Sequence, residues 1–156
     1  MTITQALRGE HGAINPLLDL IESEEASASL ETLQAFTRML TATLLTHAGI
    51  EDDVLRPSII DYLPTPPGGP TALSDHERIA RLVGRAKAAS TASEAGDALR
   101  AAIAETRLHF KKEEAKIFPI AERQLSESTQ RRLAEQWAQI RGVDLRETAS
   151  LVERAS

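Results

Sequence analysis

Apolar residues recur along the chain at every third or fourth position, which is the period of an amphipathic α-helix. The first stripe consists of Ile3, Leu7, Ile14, Leu18 and Ile21, with His11 on the same face between Leu7 and Ile14. Pro16 lies inside this stripe and removes one backbone donor, so a local kink is expected there. The stripe predicts a first helix with one face packed into a core.

Three further stripes predict three more helices. The second is expected over 30–56 and to end before Pro57, because the residue before a proline resists the α conformation. The third should begin at Ser74, an N-cap with Glu77 three residues later. The fourth should begin near Ser93, and Pro119 is expected to end or kink it. Four such helices with short connections predict an all-α, up-down four-helix bundle.

The remaining segments divide the chain. Residues 61–70 are rich in proline and glycine and predict a loop inside the domain. Another helical segment is expected after Ser126, with a break near Gly142 and Trp137 as a packing anchor. We therefore expect the bundle over 1–125 and a C-terminal helical extension over 126–156 that packs on the same domain. The extension offers a surface for a homodimer or for a signalling partner.

The chain has four histidines, and two of them open matching phrases. One phrase places Glu51 four residues after His47, and the other places Glu113 four residues after His109. Residues four apart lie on one helix face, so each phrase directs an imidazole and a carboxylate toward the same point. This is how a helix presents a pair of metal ligands.

His11 and His76 complete an internal repeat in which each half supplies two histidines and one carboxylate. A lone inward histidine is usually a core residue satisfied by a hydrogen bond. Here all four histidines lie on or beside an inward stripe, and two buried carboxylates would need compensation that a metal provides. The predicted metal ligands are His11, His47, Glu51, His76, His109 and Glu113.

Several other polar residues lie near these ligands. Carboxylates follow or precede a predicted ligand at Glu10, Asp52, Asp75, Glu77 and Glu114. We interpret them as solvated surface groups or as hydrogen-bond partners that orient imidazoles, since such partners are common around metal sites. Tyr62 is the only tyrosine. It is interpreted either as packing or as a phenolic ligand or donor that reaches the site.

Composition narrows the range of functions. The chain has 156 residues, a net charge of -5 and 3% aromatic residues, which argues against nucleic-acid binding. The absence of cysteine excludes disulfides, thiolate zinc sites and iron–sulfur clusters. The sequence has no apolar signal core and no apolar run of membrane-spanning length. A soluble cytoplasmic protein with no membrane partner is the expectation.

These motifs resemble the hemerythrin-like (HHE cation-binding) family. The resemblance covers roughly residues 1–123. It implies a four-helix bundle with a non-haem di-iron centre, two iron ions joined by an oxo or hydroxo bridge. His11 and His47 would hold one iron and His76 and His109 the other, with Glu51 and Glu113 bridging.

Two departures from the oxygen-carrying members of that family affect the expected function. Those carriers have a second histidine one turn after the third-helix histidine, where this chain has Ala80. They also place the last carboxylate five residues after its histidine, which here is Glu114, whereas the internal repeat favours Glu113. The missing fifth histidine implies a vacant position for water, Tyr62, a carboxylate or a substrate.

The expected function is chemistry on small oxidants at an open di-iron site. Hydrogen peroxide, dioxygen and nitric oxide are the expected ligands, and decomposition of peroxide by a catalase-like or peroxidase-like oxidoreductase is favoured. The alternatives are an iron-sensing, oxygen-sensing or oxygen-binding module without catalysis, and a helical bundle without metal. Walls that exclude bulky organic molecules are expected from Leu18, Phe36, Leu40, Leu44, Val83 and Phe110.

Overall fold

The computed structural model describes residues 1–63 and 74–145. Four long helices form its framework, and their bounds are α1 Ile3–Glu24, α2 Leu30–Ile50, α4 Asp75–Ala88 and α5 Ala92–Lys112. Both α1 and α4 pack against α2 and α5, so the four helices surround a common interior. The described residues contain no strand. The predicted all-α bundle is confirmed.

Side-chain caps fix where the helices begin. Ser74 and Glu77 form a capping box at the start of α4, as the sequence predicts. α5 begins at Ala92, one residue before the predicted Ser93, because Thr91 caps it. Ser126 caps the last helix, α7 Glu127–Arg141. α7 ends at Gly142, whose φ of 65° lies in the left-handed region that favours glycine.

Prolines do not end these helices. α1 continues through Pro16 without interruption. The prediction that the second helix ends before Pro57 is wrong: the chain continues through a π turn, Glu51–Leu55, then α3 Arg56–Ile59 and a 3₁₀ turn, Ile60–Tyr62. The fourth helix likewise passes through a π turn, Glu113–Ile117, into α6 Phe118–Gln124.

The π turns explain how the helices tolerate these prolines. In each turn a backbone N–H bonds the carbonyl five residues earlier, Arg56 to Glu51 and Phe118 to Glu113. This wider turn ends one register of α-helix and starts another. Pro57 and Pro119 then fall in the first turn of α3 and α6, where a missing N–H costs little.

The core is divided into two clusters of buried apolar residues. One cluster includes Ile14, Leu44 and Phe110 in the main part of the bundle. The other includes Leu7, Ile50 and Phe118 at the end where the π turns, α6 and α7 lie. Along α1 and α2, each predicted inward histidine has a member of one cluster on one side and a member of the other cluster on the other side. A polar layer therefore crosses the bundle between them.

The C-terminal helix packs on the bundle at this second cluster. α7 contacts α1 and the first π turn, and it buries Leu133 and Ala134. The predicted helical segment after Ser126 is thus present, whereas residues 146–156 of the expected extension lie outside the described range, as do residues 64–70 of the expected loop. Within the described residues, no helix combines the length and apolar character that crossing a membrane requires.

Candidate metal centre

Four imidazoles from four helices meet in the polar layer. The Nε2 atoms of His11 and His47 lie 3.2 Å apart, and those of His76 and His109 lie 3.0 Å apart. His11, His47 and His109 are buried, and His76 is partly buried. The arrangement follows from the inward stripes, since each histidine occupies a position that faces the bundle interior.

Two buried carboxylates join the imidazole pairs. Glu51 places Oε1 3.3 Å from His47 Nε2 and Oε2 3.2 Å from His76 Nε2. Glu113 places Oε1 3.3 Å from His109 Nε2 and Oε2 3.4 Å from His11 Nε2. Each glutamate therefore directs one oxygen to each pair of histidines. Both glutamates are the first residues of the π turns.

The six side chains form two overlapping groups that could each hold a cation. Potential ligand atoms lie within 4.8 Å of one another in the group of His11, His47, Glu51 and Glu113. The same holds for the group of Glu51, His76, His109 and Glu113. The two groups share both glutamates. All six residues that the sequence predicts as metal ligands are thus brought together.

The carboxylates carry signs of an uncompensated site. Glu51 Oε1 and Glu113 Oε2 are buried without a hydrogen-bond partner. Burial and the charge of Glu51 raise the pKa of Glu113 to about 11. Burial opposes ionisation of Glu51 as well, but hydrogen bonds from His109 and His76 outweigh it and lower its pKa. Since buried carboxylates without partners are costly, the donor set fits a bound cation.

A carboxylate supports each imidazole on the side away from the centre. These four carboxylates are the sequence neighbours of four of the six central residues, and each one reaches a histidine on an adjacent helix. The Nδ1 distances are 2.6 Å for Glu10 to His47, 2.8 Å for Glu114 to His11, 3.0 Å for Asp52 to His76 and 3.6 Å for Asp75 to His109. The first three are hydrogen bonds and the last is a longer polar contact.

This ring of carboxylates follows from helix geometry. Successive residues on a helix point about 100° apart, so one faces the centre and the next faces the neighbouring helix. A carboxylate that accepts the Nδ1–H of an imidazole leaves the Nε2 lone pair free to bind a metal. Burial also lowers the pKa of His11 and His109, which favours their neutral, metal-binding form. His76 differs, because bonds to Glu51 and Asp52 outweigh burial and raise its pKa.

Glu10 is held more firmly than a lone surface carboxylate. Its Oε1 accepts hydrogen bonds from Trp137 Nε1 at 2.5 Å and from Arg141 Nε at 2.6 Å, both on α7. Burial would raise its pKa, but the bonds from His47, Arg141 and Trp137 lower it to about 2. A chain of contacts thus runs from α7 through Glu10 to His47. The sequence predicts Trp137 only as a packing anchor and gives no sign of the Arg141 contact, because nothing local pairs α7 with Glu10.

The remaining predicted residues lie elsewhere. Glu114, the reserve for Glu113, belongs to neither central group and bonds His11 from outside. Glu77 caps α4. Tyr62 is 51% exposed at the end of the 3₁₀ turn.

A groove of about 460 Å³ leads from the surface to the centre between α2 and α4. His47, His76 and His109 contribute to its inner end, and Ala80 contributes to its wall. Of the predicted walls, Leu44, Val83 and Phe110 line this groove, whereas Leu18 and Leu40 lie in the core and Phe36 packs against it. Phe110 also stacks on His11 with ring centres 3.8 Å apart. The centre is therefore open on one side and closed by aromatic packing on another.

Comparison with curated proteins and with solved structures gives no match. The sequence does match a family described as the hemerythrin HHE cation-binding domain, over residues 2–121 and again over 71–155. The first match alone spans most of the chain and includes every histidine and glutamate of the centre. On this evidence, together with the helical fold and the clustered imidazoles and carboxylates, the chain belongs to the hemerythrin HHE cation-binding family.

Proposed function

We propose that the protein holds two iron ions and acts on small oxidants, with the decomposition of hydrogen peroxide as its main reaction. His11 and His47 would hold one ion, His76 and His109 the other, and Glu51 and Glu113 would bridge them. The two overlapping ligand groups that share both glutamates support this assignment. A pair of redox-active irons supplies the two-electron exchange that peroxide chemistry requires.

The donor set supports iron as the metal. Four imidazole nitrogens and two carboxylates suit iron, zinc and manganese, and no thiolate is present to favour a softer ion. Zinc is the main competitor on affinity, so metal supply and geometry decide between them. The family membership adds weight to a cation at this place.

The observation that carries the proposed reaction is the open side of the centre at Ala80. This residue lies one helical turn after His76, on the wall of the groove that reaches His76 and His109. A methyl group at this position supplies no ligand atom. A small molecule entering by the groove can therefore reach an open coordination position, which a reaction centre needs and a saturated structural site lacks.

The chain's own residues prepare the centre for this role. Glu10, Asp52 and Glu114 fix three imidazoles with Nε2 directed inward. Phe110 packs flat on the His11 ring and keeps water from that face. The protein thus fixes the orientation of the ligands in advance and leaves access on the side of α2 and α4.

Metal analysis combined with a peroxide assay tests the proposal. Purified protein loaded with ferrous iron without air is expected to contain two irons per chain and to consume hydrogen peroxide with release of dioxygen. The same protein loaded with zinc is the control and should not consume peroxide. A well-loaded iron protein that neither consumes peroxide nor changes its optical spectrum with peroxide, dioxygen or nitric oxide would contradict the proposal.

The alternative is a sensing module, and the contact between α7 and Glu10 favours it. Because Trp137 and Arg141 bind the carboxylate that supports His47, a change at the centre would be transmitted to α7. A chain ending at residue 125 distinguishes the two functions. A catalyst would keep peroxide turnover per bound iron without α7, whereas a sensor would lose binding of its partner and show no turnover in either form.

A further inference from the structure

The groove beside the centre is far larger than a small oxidant requires. Its volume of about 460 Å³ compares with roughly 30 Å³ for one water molecule in the liquid. Hydrogen peroxide and dioxygen have only two heavy atoms each. The groove therefore has room for a much longer, slender ligand.

The groove runs along the seam between α2 and α4. Its α2 wall follows one helical stripe, Thr41, Leu45, Ala48 and Asp52. Its α4 wall follows another with the same steps, His76, Ala80, Val83 and Lys87. Asp52 hydrogen-bonds His76, so the two stripes meet at the end nearest the candidate metal centre. Lys87 lies at the opposite end of the groove. Each stripe covers eleven residue steps, or about 16 Å along the helix axis.

The chemistry of the walls changes along this length. The middle is apolar, formed by Leu44, Leu45, Ile79, Ala80 and Val83. Gly49 and Gly84 also line the groove, and a Cβ added at either position would meet nothing within 4 Å. Polar or charged groups placed along this middle would lose hydration without gaining a partner, so it favours an apolar chain.

Lys87 gives the outer end a positive charge. It is exposed and lines the groove, and no carboxylate among residues 1–63 and 74–145 pairs with it. The inner end carries Asp52 and Glu77, which would repel an anion placed there, and the charge of cations bound at the centre would be offset in part by Glu51 and Glu113. Charge complementarity thus places a negative group at Lys87 and the rest of the ligand toward His76.

We propose that this groove binds a medium-chain monocarboxylate, with its carboxylate against Lys87 and its apolar chain along the seam toward His76. This proposal depends on the proposed function only because the far end of the bound ligand lies at the open side of the metal centre. A bound chain covers Ala80 and so limits the access of small oxidants. The binding itself requires no redox chemistry and can be measured apart from it.

Calorimetric titration of the zinc-loaded protein with decanoate tests the proposal, because zinc holds the centre without redox activity. Decanoate is expected to bind with one site per chain, and decanol and decyltrimethylammonium are expected to bind more weakly. Acetate is the control for a carboxylate that simply coordinates the metal. If acetate displaces decanoate at similar concentrations, the carboxylate lies at the metal and the proposed orientation is wrong.

Two sets of variants, one at Lys87 and one at Gly84, locate the site. Lys87→Met should weaken decanoate binding about fivefold, whereas Lys87→Arg should bind decanoate as the wild type does. Arg85→Met is the control, because it removes a charge from the same helix outside the groove and should not change binding. Gly84→Leu should fill the groove and abolish binding. Gly9→Leu is its matched control, because it too places a side chain in open space on a helix.

The outcomes separate this proposal from the proposed function. Absence of decanoate binding, or equal binding by Lys87→Met and Arg85→Met, overturns the groove ligand. Unchanged binding in Gly84→Leu overturns its place along the seam. In either case peroxide consumption by the iron-loaded protein would still support the proposed function. Binding that follows the expected pattern in a protein without peroxide consumption would support the groove ligand alone.

Discussion

Replacement of Glu10 by glutamine tests how far the surroundings of the imidazoles control the metal centre. Glu10 connects His47 with two donors on α7, and only about a tenth of its side chain is exposed. Glutamine keeps the size and one acceptor but loses the charge. The amide then either fails to accept one of these bonds or directs an NH₂ group at a donor.

The expected effect on the metal-free protein can be worked from the Glu10 pKa. Its fall from 4.5 to about 2 corresponds to roughly 3 kcal/mol in favour of the charged form in the folded protein. Because the folded pKa is depressed, this stabilisation is complete above pH 4.5 and is lost as the pH falls toward 2. At pH 7 we expect Glu10→Gln to lower the free energy of unfolding by about 1–3 kcal/mol.

The effect on metal binding has the same origin. A charge-assisted bond to an imidazole is about twice as strong as a neutral one, and partners of this kind typically change metal affinity by about 10–100-fold. We expect zinc to bind Glu10→Gln at least about tenfold more weakly than it binds the wild type. Competition with a chelator measures this directly, and denaturant unfolding of the metal-free protein measures the stability.

Glu122→Gln is the matched control. Glu122 pairs with Arg8 on the surface, where both side chains are more than a third exposed. Its replacement removes the same charge, and it should lower the free energy of unfolding by at most about 1 kcal/mol, the usual contribution of an exposed ion pair. Zinc affinity should stay unchanged, because the partner of Glu122 is Arg8 and not one of the central histidines. Equal zinc affinities for Glu10→Gln and the wild type would show that Glu10 does not act on the centre through His47. A stability difference that persists unchanged from pH 7 to pH 3 would refute the charge argument.

Three further predictions concern the centre itself. His47→Ala should lose most bound metal, because one group loses a nitrogen while Glu51 stays buried; full metal content by elemental analysis would remove His47 from the ligands. Ala80→His should fill the open position and suppress peroxide consumption by the iron-loaded protein, and unchanged kcat/KM would contradict the argument from Ala80. Glu113→Gln should stabilise the metal-free protein at pH 7 by about 1–3 kcal/mol. Because the pKa of Glu113 is raised in the folded protein, the wild type loses stability as the pH rises above 4.5 toward 11, and the glutamine variant does not. Parallel stability–pH curves for the two proteins would rule this out.

The central residues could be predicted because their chemistry and their position agree. Imidazole and carboxylate four residues apart share a helix face, and the same spacing at His47 and His109 lies on stripes that face the interior. Apolar periodicity alone would have predicted the bundle. The periodicity predicts which helix faces are buried, and ionisable side chains on those faces are the observation that indicates a metal.

The contacts that orient the imidazoles could be anticipated only in kind. The sequence places Glu10 and Glu114 beside predicted ligands, but which histidine each one reaches depends on how the helices are arranged. Glu10 supports His47 rather than the adjacent His11, and Trp137 bonds Glu10 across 127 positions of sequence. No spacing rule covers such a pair, because the contact exists only after α7 has packed on α1.

The continuation of the helices past Pro57 and Pro119 and the placement of the two glutamates in the centre have one structural cause. A proline six residues after Glu51 or Glu113 would clash with the preceding turn of a regular α-helix. The π turn that removes this conflict begins at the glutamate itself, and π turns of this kind often occur at functional sites. The histidine–glutamate pair therefore ends one register of helix, and the proline begins the next. The phrase that the sequence repeats is a unit of backbone as well as a pair of candidate ligands, which explains why the proline follows the glutamate at the same distance in both halves.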